Sequence, residues 1–315
     1  LTRMHVVGID LGSNTFRVAE LSCTSLETVR QYEKIVRTAD GMVETGIISD
    51  EALERIVEAA RSAKAKIDFS HHKVVAVATE AVRRAKNADR ILEAIRQRTG
   101  ISFRVISGEK EADYTLLAVK TRLEKMGYEA RDFVMVDIGG GSTELLFFDG
   151  RRLFSKSFPI GIVTVAQRYK TMERIEEALP GLMVPVEAFV RKAQERGMRP
   201  GLFVATAGTP TTVAAMKLGM EYDTYDSARV NGTLLFREDL KMQLRRLLSL
   251  DVAARRRLVG VGREDLIAAG ILIFERFYEL LGFDRAIVVD DGLREGVAIA
   301  ECLGLKEGPR FERVG

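Results

Sequence analysis

The sequence is short of the residues from which several common sites are built. It has three histidines, His5, His71 and His72, in 315 residues, too few to suggest a histidine-rich metal centre. Its two cysteines, Cys23 and Cys302, stand far apart without metal-ligand spacing and read as reduced thiols of a cytoplasmic protein. No run of about 20 apolar residues occurs, so no membrane span is expected. The N-terminal stretch LTRMHVVGID lacks the long apolar core of a signal peptide. No segment is low-complexity, and no solenoid-length repeat is present. A GxxxxGK[ST] phosphate loop is also missing. With soft-ligand sites excluded, any bound metal should be hard and held by oxygen, such as Mg²⁺.

What is present is ample for two cores. The composition is 46% hydrophobic and 30% charged, with a net charge of +3 that permits a polyanionic ligand without demanding one. Apolar strands are expected at 5–10, 15–22 and 29–36. Leu53, Ile56, Val57, Ala60, Ala63 and Ile67 recur at helical spacing and predict a helix over 50–69, capped by Ser49 or Asp50. A strand at 73–78, a helix at 87–98 closed by Gly100, a strand at 103–106 and a helix at 109–126 follow. MGYEARD breaks the pattern and marks a domain boundary. Strands resume at 132–137, 143–148 and 153–158. Two helical stretches near 174–180 and 186–196, the strand GLFVAT, helices over 238–250 and 263–281, a strand at 286–290 and a helix at 293–303 complete the chain. Hairpins leading into alternating helices and strands, twice over, indicate two α/β domains, 1–126 and 127–315, with the last helix a candidate to pack back on the first.

The informative feature is an internal match. VVGIDLGSNTFRVAEL opens the first half and FVMVDIGGGSTELLFF the second. Asp10 aligns with Asp137, Gly12 with Gly139 and Thr15 with Ser142. Each half presents a strand, an acid, a glycine-bearing turn and a returning strand. A tight hairpin turn of this kind is expected to need positive φ, which glycine or asparagine supplies at low cost. Successive turn amides can form an anion-binding nest, and each acid would then sit beside a phosphate, where it can hold Mg²⁺. A lone turn of this type is usually only a turn; the matched pair gives the pattern its weight. Because a strand, not a helix, follows the glycines, the motif is not a dinucleotide fingerprint.

The paired hairpins resemble those of the superfamily of actin, sugar kinases and heat-shock ATPases. More narrowly, the chain resembles the exopolyphosphatase / guanosine pentaphosphate phosphohydrolase family through DLGSNTFR (10–17), ATEAVRRAKN (78–87), ISGEKEA (106–112), VDIGGGSTEL (136–145), PIGIV (159–163), TAGTPTT (206–212) and DDGLREG (290–296). Ala205 and Pro210 depart from the family's usual glycine and apolar residue. Long members carry a further C-terminal helical region, so the chain is expected to be a short, two-domain member. The resemblance implies two related ribonuclease H-like (actin-like ATPase) domains with a cleft between them.

It also implies site residues. Glu111, in ISGEKEA, falls at the position of the base that activates water; without the motif it would read as a helix-surface acid, like Glu109. Asp137 is the expected Mg²⁺ ligand (Mn²⁺ is the alternative), with Glu144 a second acid near the metal and Asp10 their counterpart in the first half. Asp10 and Asp137 could also simply hydrogen-bond within their turns. Arg83, Arg17 and Arg263 match phosphate-contacting arginines, whose planar fork suits phosphate oxygens. Ser13, Asn14, Gly140, Gly141 and Ser142 would supply loop donors. Gly208 and Thr209 open a helix whose N-terminus is itself an anion site. Arg84, Lys86 and the basic run ARRRL (254–258) are weaker candidates. The implied activity is Mg²⁺-dependent release of terminal orthophosphate from polyphosphate. The alternatives are a guanosine pentaphosphate 5′-phosphohydrolase of the stringent response, yielding the tetraphosphate, and a non-catalytic alarmone or nucleotide sensor. Neither nucleic acid nor membrane is expected as a partner, and a homodimer stays open.

Overall fold

A computed structural model describes residues 5–314. The chain forms two compact units, residues 5–121 with 291–310, and residues 122–290 with 311–314.

The first unit runs β1 (His5–Leu11), β2 (Thr15–Ser22), β3 (Glu27–Ile35), α1 (Met42–Thr45), α2 (Asp50–Lys66), β4 (Lys73–Ala78), α3 (Glu80–Arg84), α4 (Ala88–Thr99), β5 (Phe103–Val105) and α5 (Gly108–Lys125). Its sheet has the order β3-β2-β1-β4-β5. The β1–β2–β3 meander is antiparallel, and β4 and β5 join it in parallel. Alternation along β1 assigns the faces. Val7, Ile9 and Leu11 meet the buried stripes of α2 and α4, while Val6 faces the opposite layer. In α2, the Ser49 hydroxyl accepts the Ala52 amide, acids occupy the first turn and lysines the last. The helix stops at Lys66, short of the expected Phe69, because the Asp68 carboxylate gathers the Ser70 and His71 amides into a turn.

The second unit runs β6 (Phe133–Ile138), β7 (Thr143–Phe148), β8 (Arg152–Phe158), α6 (Ile162–Tyr169), α7 (Met172–Glu195), β9 (Leu202–Thr206), α8 (Gly208–Lys217), α9 (Ser227–Val230), β10 (Leu234–Phe236), α10 (Arg237–Ser249), α11 (Val252–Val259), α12 (Ile267–Leu281) and β11 (Arg285–Val288). The chain then returns through α13 (Leu293–Cys302), which belongs to the first unit, before β12 (Glu312–Arg313) joins the edge of the second sheet. That sheet has the order β10-β11-β9-β6-β7-β8-β12.

In the first unit, α13 lies against β1 so closely that a Cβ on Gly8 would stand 2.0 Å from the Arg294 carbonyl oxygen, and one on Gly296 2.0 Å from that of Tyr114. Two differences from the sequence reading have clear causes. The helical stretches expected near 174–180 and 186–196 are one helix, α7, that continues through Pro180 and Pro185. Both prolines sit on its exposed side, where water can take the freed carbonyls. Ile175, Leu179, Met183, Val186 and Val190 meanwhile keep one continuous buried stripe. The cysteines, expected as reduced thiols, form a disulfide, Cys23–Cys302, that ties α13 to the end of β2.

Candidate active site

The two glycine turns are closed by equivalent bonds. The Gly12 amide donates to the Thr15 carbonyl at 2.9 Å, and the Gly139 amide to the Ser142 carbonyl at 2.9 Å. The acids two residues earlier also correspond. Asp10 is cross-strand partner of Arg17, and Asp137 of Glu144. The expectation of positive φ needs correction, since neither Gly12 nor Gly139 takes a left-handed backbone. In the second unit the glycines serve close packing instead. The Ile162 and Val163 amides at the start of α6 donate to the Gly139 and Gly140 carbonyls at 3.1 and 2.8 Å. Gly161 lies so near that a Cβ there would be 2.3 Å from the Gly140 oxygen. PIGIV is thus the seat of the glycine turn.

Within the first unit the structure brings Glu111 and Arg83 together. Glu111 lies in the first turn of α5 and is 9% exposed, whereas Glu109 faces solvent. Arg83 Nη1 is 3.6 Å from Glu111 Oε2 and donates to the Ile106 carbonyl at 2.6 Å. Its Nη2 binds Glu80. Glu80, which the sequence reading does not single out within ATEAVRRAKN, holds Arg83 from i, i+3 spacing on α3. Arg84 reaches the same carboxylate at 3.5 Å and is otherwise exposed. Lys86 is exposed, and its amide donates to the Gly46 carbonyl. Ser13 and Asn14 are buried, and their carbonyls accept the amides of Ala39, and of Val36 and Arg37, which pins the turn. Asn14 Oδ1 is buried without a hydrogen-bond partner among the described residues. Arg17 Nε lies 2.9 Å from Glu33 Oε2.

In the second unit Glu144 is buried, and its Oε1 accepts the Ser142 and Ser157 hydroxyls at 2.8 and 2.7 Å. Asp137, opposite it, is partly exposed at the strand end. Their donors are all oxygens, which fits a hard divalent cation. Before α8, Ala207 holds φ 69° and ψ −169°, a conformation that costs an L-residue on the order of 1–3 kcal/mol. It sets Gly208 and Thr209 at the helix N-terminus. Thr209 Oγ1 is buried without a hydrogen-bond partner among the described residues.

Arg263 was expected inside a helix; it lies instead in the 260–266 turn, because Gly260 and Gly262 adopt φ 94° and 88° and delay α12 to Ile267. There it is buried, with Nη1 3.5 Å from Thr212 Oγ1 on α8. The basic run has structural work: Arg255 donates to the last carbonyls of α10, and Arg256 pairs with Glu264 at 2.7 Å. Burial pushes the Glu264 carboxyl up, but the Arg256 hydrogen bond and the Gly262 amide more than offset it and hold it below the usual range.

Two related α/β units, each opening with an acid and a glycine turn, form an actin-like fold. The profile of the Ppx/GppA phosphatase family matches residues 16–304. The chain belongs to that family and is a phosphoanhydride hydrolase. It is 29% identical to Exopolyphosphatase 2 of Mycobacterium tuberculosis over 95% of this chain and 98% of that one. It is also similar to the crystal structure of the Aquifex aeolicus Ppx/GppA family member, at 32% identity and TM-score 0.71, covering 96% of this chain and 99% of that one. An exopolyphosphatase structure from Cytophaga hutchinsonii has TM-score 0.84 at 22% identity, covering 97% and 100%, and speaks for the fold alone. Among the described residues no helix is long and apolar enough to cross a membrane.

Proposed function

We propose that the protein is an exopolyphosphatase that releases terminal orthophosphate with Mg²⁺. The observation that carries this reading is the pairing of a buried carboxylate, Glu111, with the guanidinium of Arg83 at 3.6 Å. Hydrolysis of a phosphoanhydride requires a water aligned at the terminal phosphorus and cationic groups on the phosphoryl oxygens. Glu111 orients and deprotonates that water. Arg83, held in place by Glu80 and the Ile106 carbonyl, offers its fork to the phosphoryl oxygens.

In the second unit the glycine turn, Ser142 and the α8 N-terminus with Arg263 hold phosphate through amides, hydroxyls and a buried cation. Asp137, with Glu144 behind it, would hold the Mg²⁺, which when bound neutralises phosphate charge. Asp10, Arg17, Ser13 and Asn14 form the corresponding phosphate-side set of the first unit. A guanosine pentaphosphate 5′-phosphohydrolase would use the same residues.

The deciding measurement is kcat/KM with Mg²⁺ on long polyphosphate, guanosine pentaphosphate and ATP in parallel. Preference for polyphosphate is expected. Preference for guanosine pentaphosphate would replace this reading. Asp137→Ala is expected to raise the Mg²⁺ requirement or abolish turnover, and full activity in excess EDTA would exclude the metal.

A further inference from the structure

A second cluster of ligating side chains lies away from the phosphate loops. His5 opens β1, Glu20 lies near the end of β2, and His72 immediately precedes β4. Sheet register, not sequence spacing, brings them together. Val7 pairs with Glu20, and Val6 with Lys73. Side chains two apart on a strand share a face, so His5 stands diagonal to Glu20 on that face, and His72, one residue before Lys73, comes alongside His5. The ligating atoms of all three lie within 4.8 Å of one another. His5 Nδ1 is 2.6 Å and His72 Nε2 3.4 Å from the same oxygen, Glu20 Oε1. The imidazole centroids are 5.1 Å apart.

Burial sharpens the arrangement. Glu20 is 2% exposed, and a carboxylate so placed is costly unless charge or hydrogen bonds compensate. Arg30 stands 3.6 Å from its other oxygen, Oε2, so Oε1 is the atom on which both imidazoles converge. Two imidazoles and one carboxylate with part of the cluster open to solvent are a three-ligand zinc set, each bond needing about 2.0–2.2 Å. The nitrogen donors favour a first-row transition ion over Mg²⁺. Five residues of strand separate His5 from Asp10, about 17 Å, so this cluster is independent of the glycine turn.

We propose that His5, Glu20 and His72 form a binding site for a transition-metal dication, with Zn²⁺ the best fit, which clamps β1, β2 and β4 at the end of the sheet opposite the Asp10 turn. The ion replaces the His–Glu contacts by direct bonds from Glu20 Oε1 and one nitrogen of each imidazole.

The test uses the full chain, free of any histidine tag and stripped with chelator. It is titrated with ZnCl₂ by calorimetry and with CoCl₂ by visible absorption. With excess MgCl₂ present to fill the oxygen site at Asp137, saturable binding of a single ion per chain is expected, with ligand-field bands that Zn²⁺ abolishes and a rise in thermal midpoint. His5→Ala and His72→Gln should each weaken binding by more than about 10-fold, the scale at which even outer-shell changes act. The glutamine keeps a hydrogen-bonding group beside Glu20 and guards against simple misfolding. His71→Ala should bind normally, because His71 is 81% exposed and pairs with Asp68. Absence of saturable binding, or wild-type affinity in both His5→Ala and His72→Gln, would overturn the proposal. So would binding lost only in Asp137→Ala, which would place the ion at the glycine turn.

Discussion

At the scale of single residues the site turns on which carboxylates are held near a cation. Glu111→Gln should lower kcat by about 10²- to 10⁴-fold with KM little changed, since a general base acts in the transition state. Steady-state kinetics on a variant shown to be folded checks this, with Glu109→Gln as the near-neutral control because Glu109 faces solvent. Wild-type kcat in Glu111→Gln would remove it from the proposed role. Individual residues were unevenly legible in the sequence. Glu111 and Arg83 stood out only as parts of motifs, and Glu80 not at all, because its importance lies in what it touches: the Arg83 guanidinium. The register that joins His5, Glu20 and His72 is equally invisible until strands are paired.

Elements carry the next level of constraint. The start of α6 is the seat of the glycine turn, and Gly161 has no room for a side chain. Gly161→Ala should therefore displace Gly140 and Gly141. Overpacking of this kind costs about 1–3 kcal/mol, and a shift of about 1 Å at a reacting group can cost about 10²-fold in rate. The expected result is a large fall in kcat/KM with a modest fall in thermal midpoint; unchanged kinetics would show that the turn is not held from α6. The 260–266 turn makes a pH prediction. Glu264 titrates below its unfolded value, so its contribution is fully present above the ordinary carboxylate range, near pH 4.3, and is lost as pH falls through the lower folded value. The stability gap between wild type and Glu264→Gln should be constant above about pH 5 and close at lower pH. A gap that widens on acidification would mean that the Arg256 and Gly262 bonds do not control this carboxylate. Most strands and the long amphipathic helices follow from periodicity alone. The helix α6 has no clear mark in the sequence, because IVTVAQRY is short and reads equally as strand, and the two stretches expected near 174–180 and 186–196 are one helix, α7, because tertiary burial of its apolar stripe overrides the local cost of Pro180 and Pro185.

For the whole molecule, the repeat seen in two short motifs extends to topology: β3-β2-β1-β4-β5 in one sheet has its counterpart in β8-β7-β6-β9-β11 of the other. The sequence marks the last helix as a candidate to pack back on the first unit, but the disulfide is hidden in it, since nothing in the spacing of Cys23 and Cys302 tells which strand that helix covers. That bond joins residues 279 positions apart, a loop that contains nearly all of the second unit. A cross-link of such a long loop restricts the unfolded chain strongly, worth up to about 5 kcal/mol in the chain-entropy account. The native effect is local. α13 packs through Ala298 and Ile299 against Val6 and Leu21 with Cys23 and Cys302 alongside, and while the bond is intact the helix stays tethered to β2 even when those contacts open. Cys302→Ser, or reduction under denaturing conditions followed by refolding in reductant, should therefore lower stability and raise amide exchange first in α13 and in β1 and β2 beneath it. The core of the second unit, around Phe203, Phe274 and Tyr278, should keep its protection. Hydrogen exchange read segment by segment separates the outcomes. Uniform loss across both units would make the bond a global restraint, and no change in α13 would show that packing on Gly8 and Leu21 holds the helix without it.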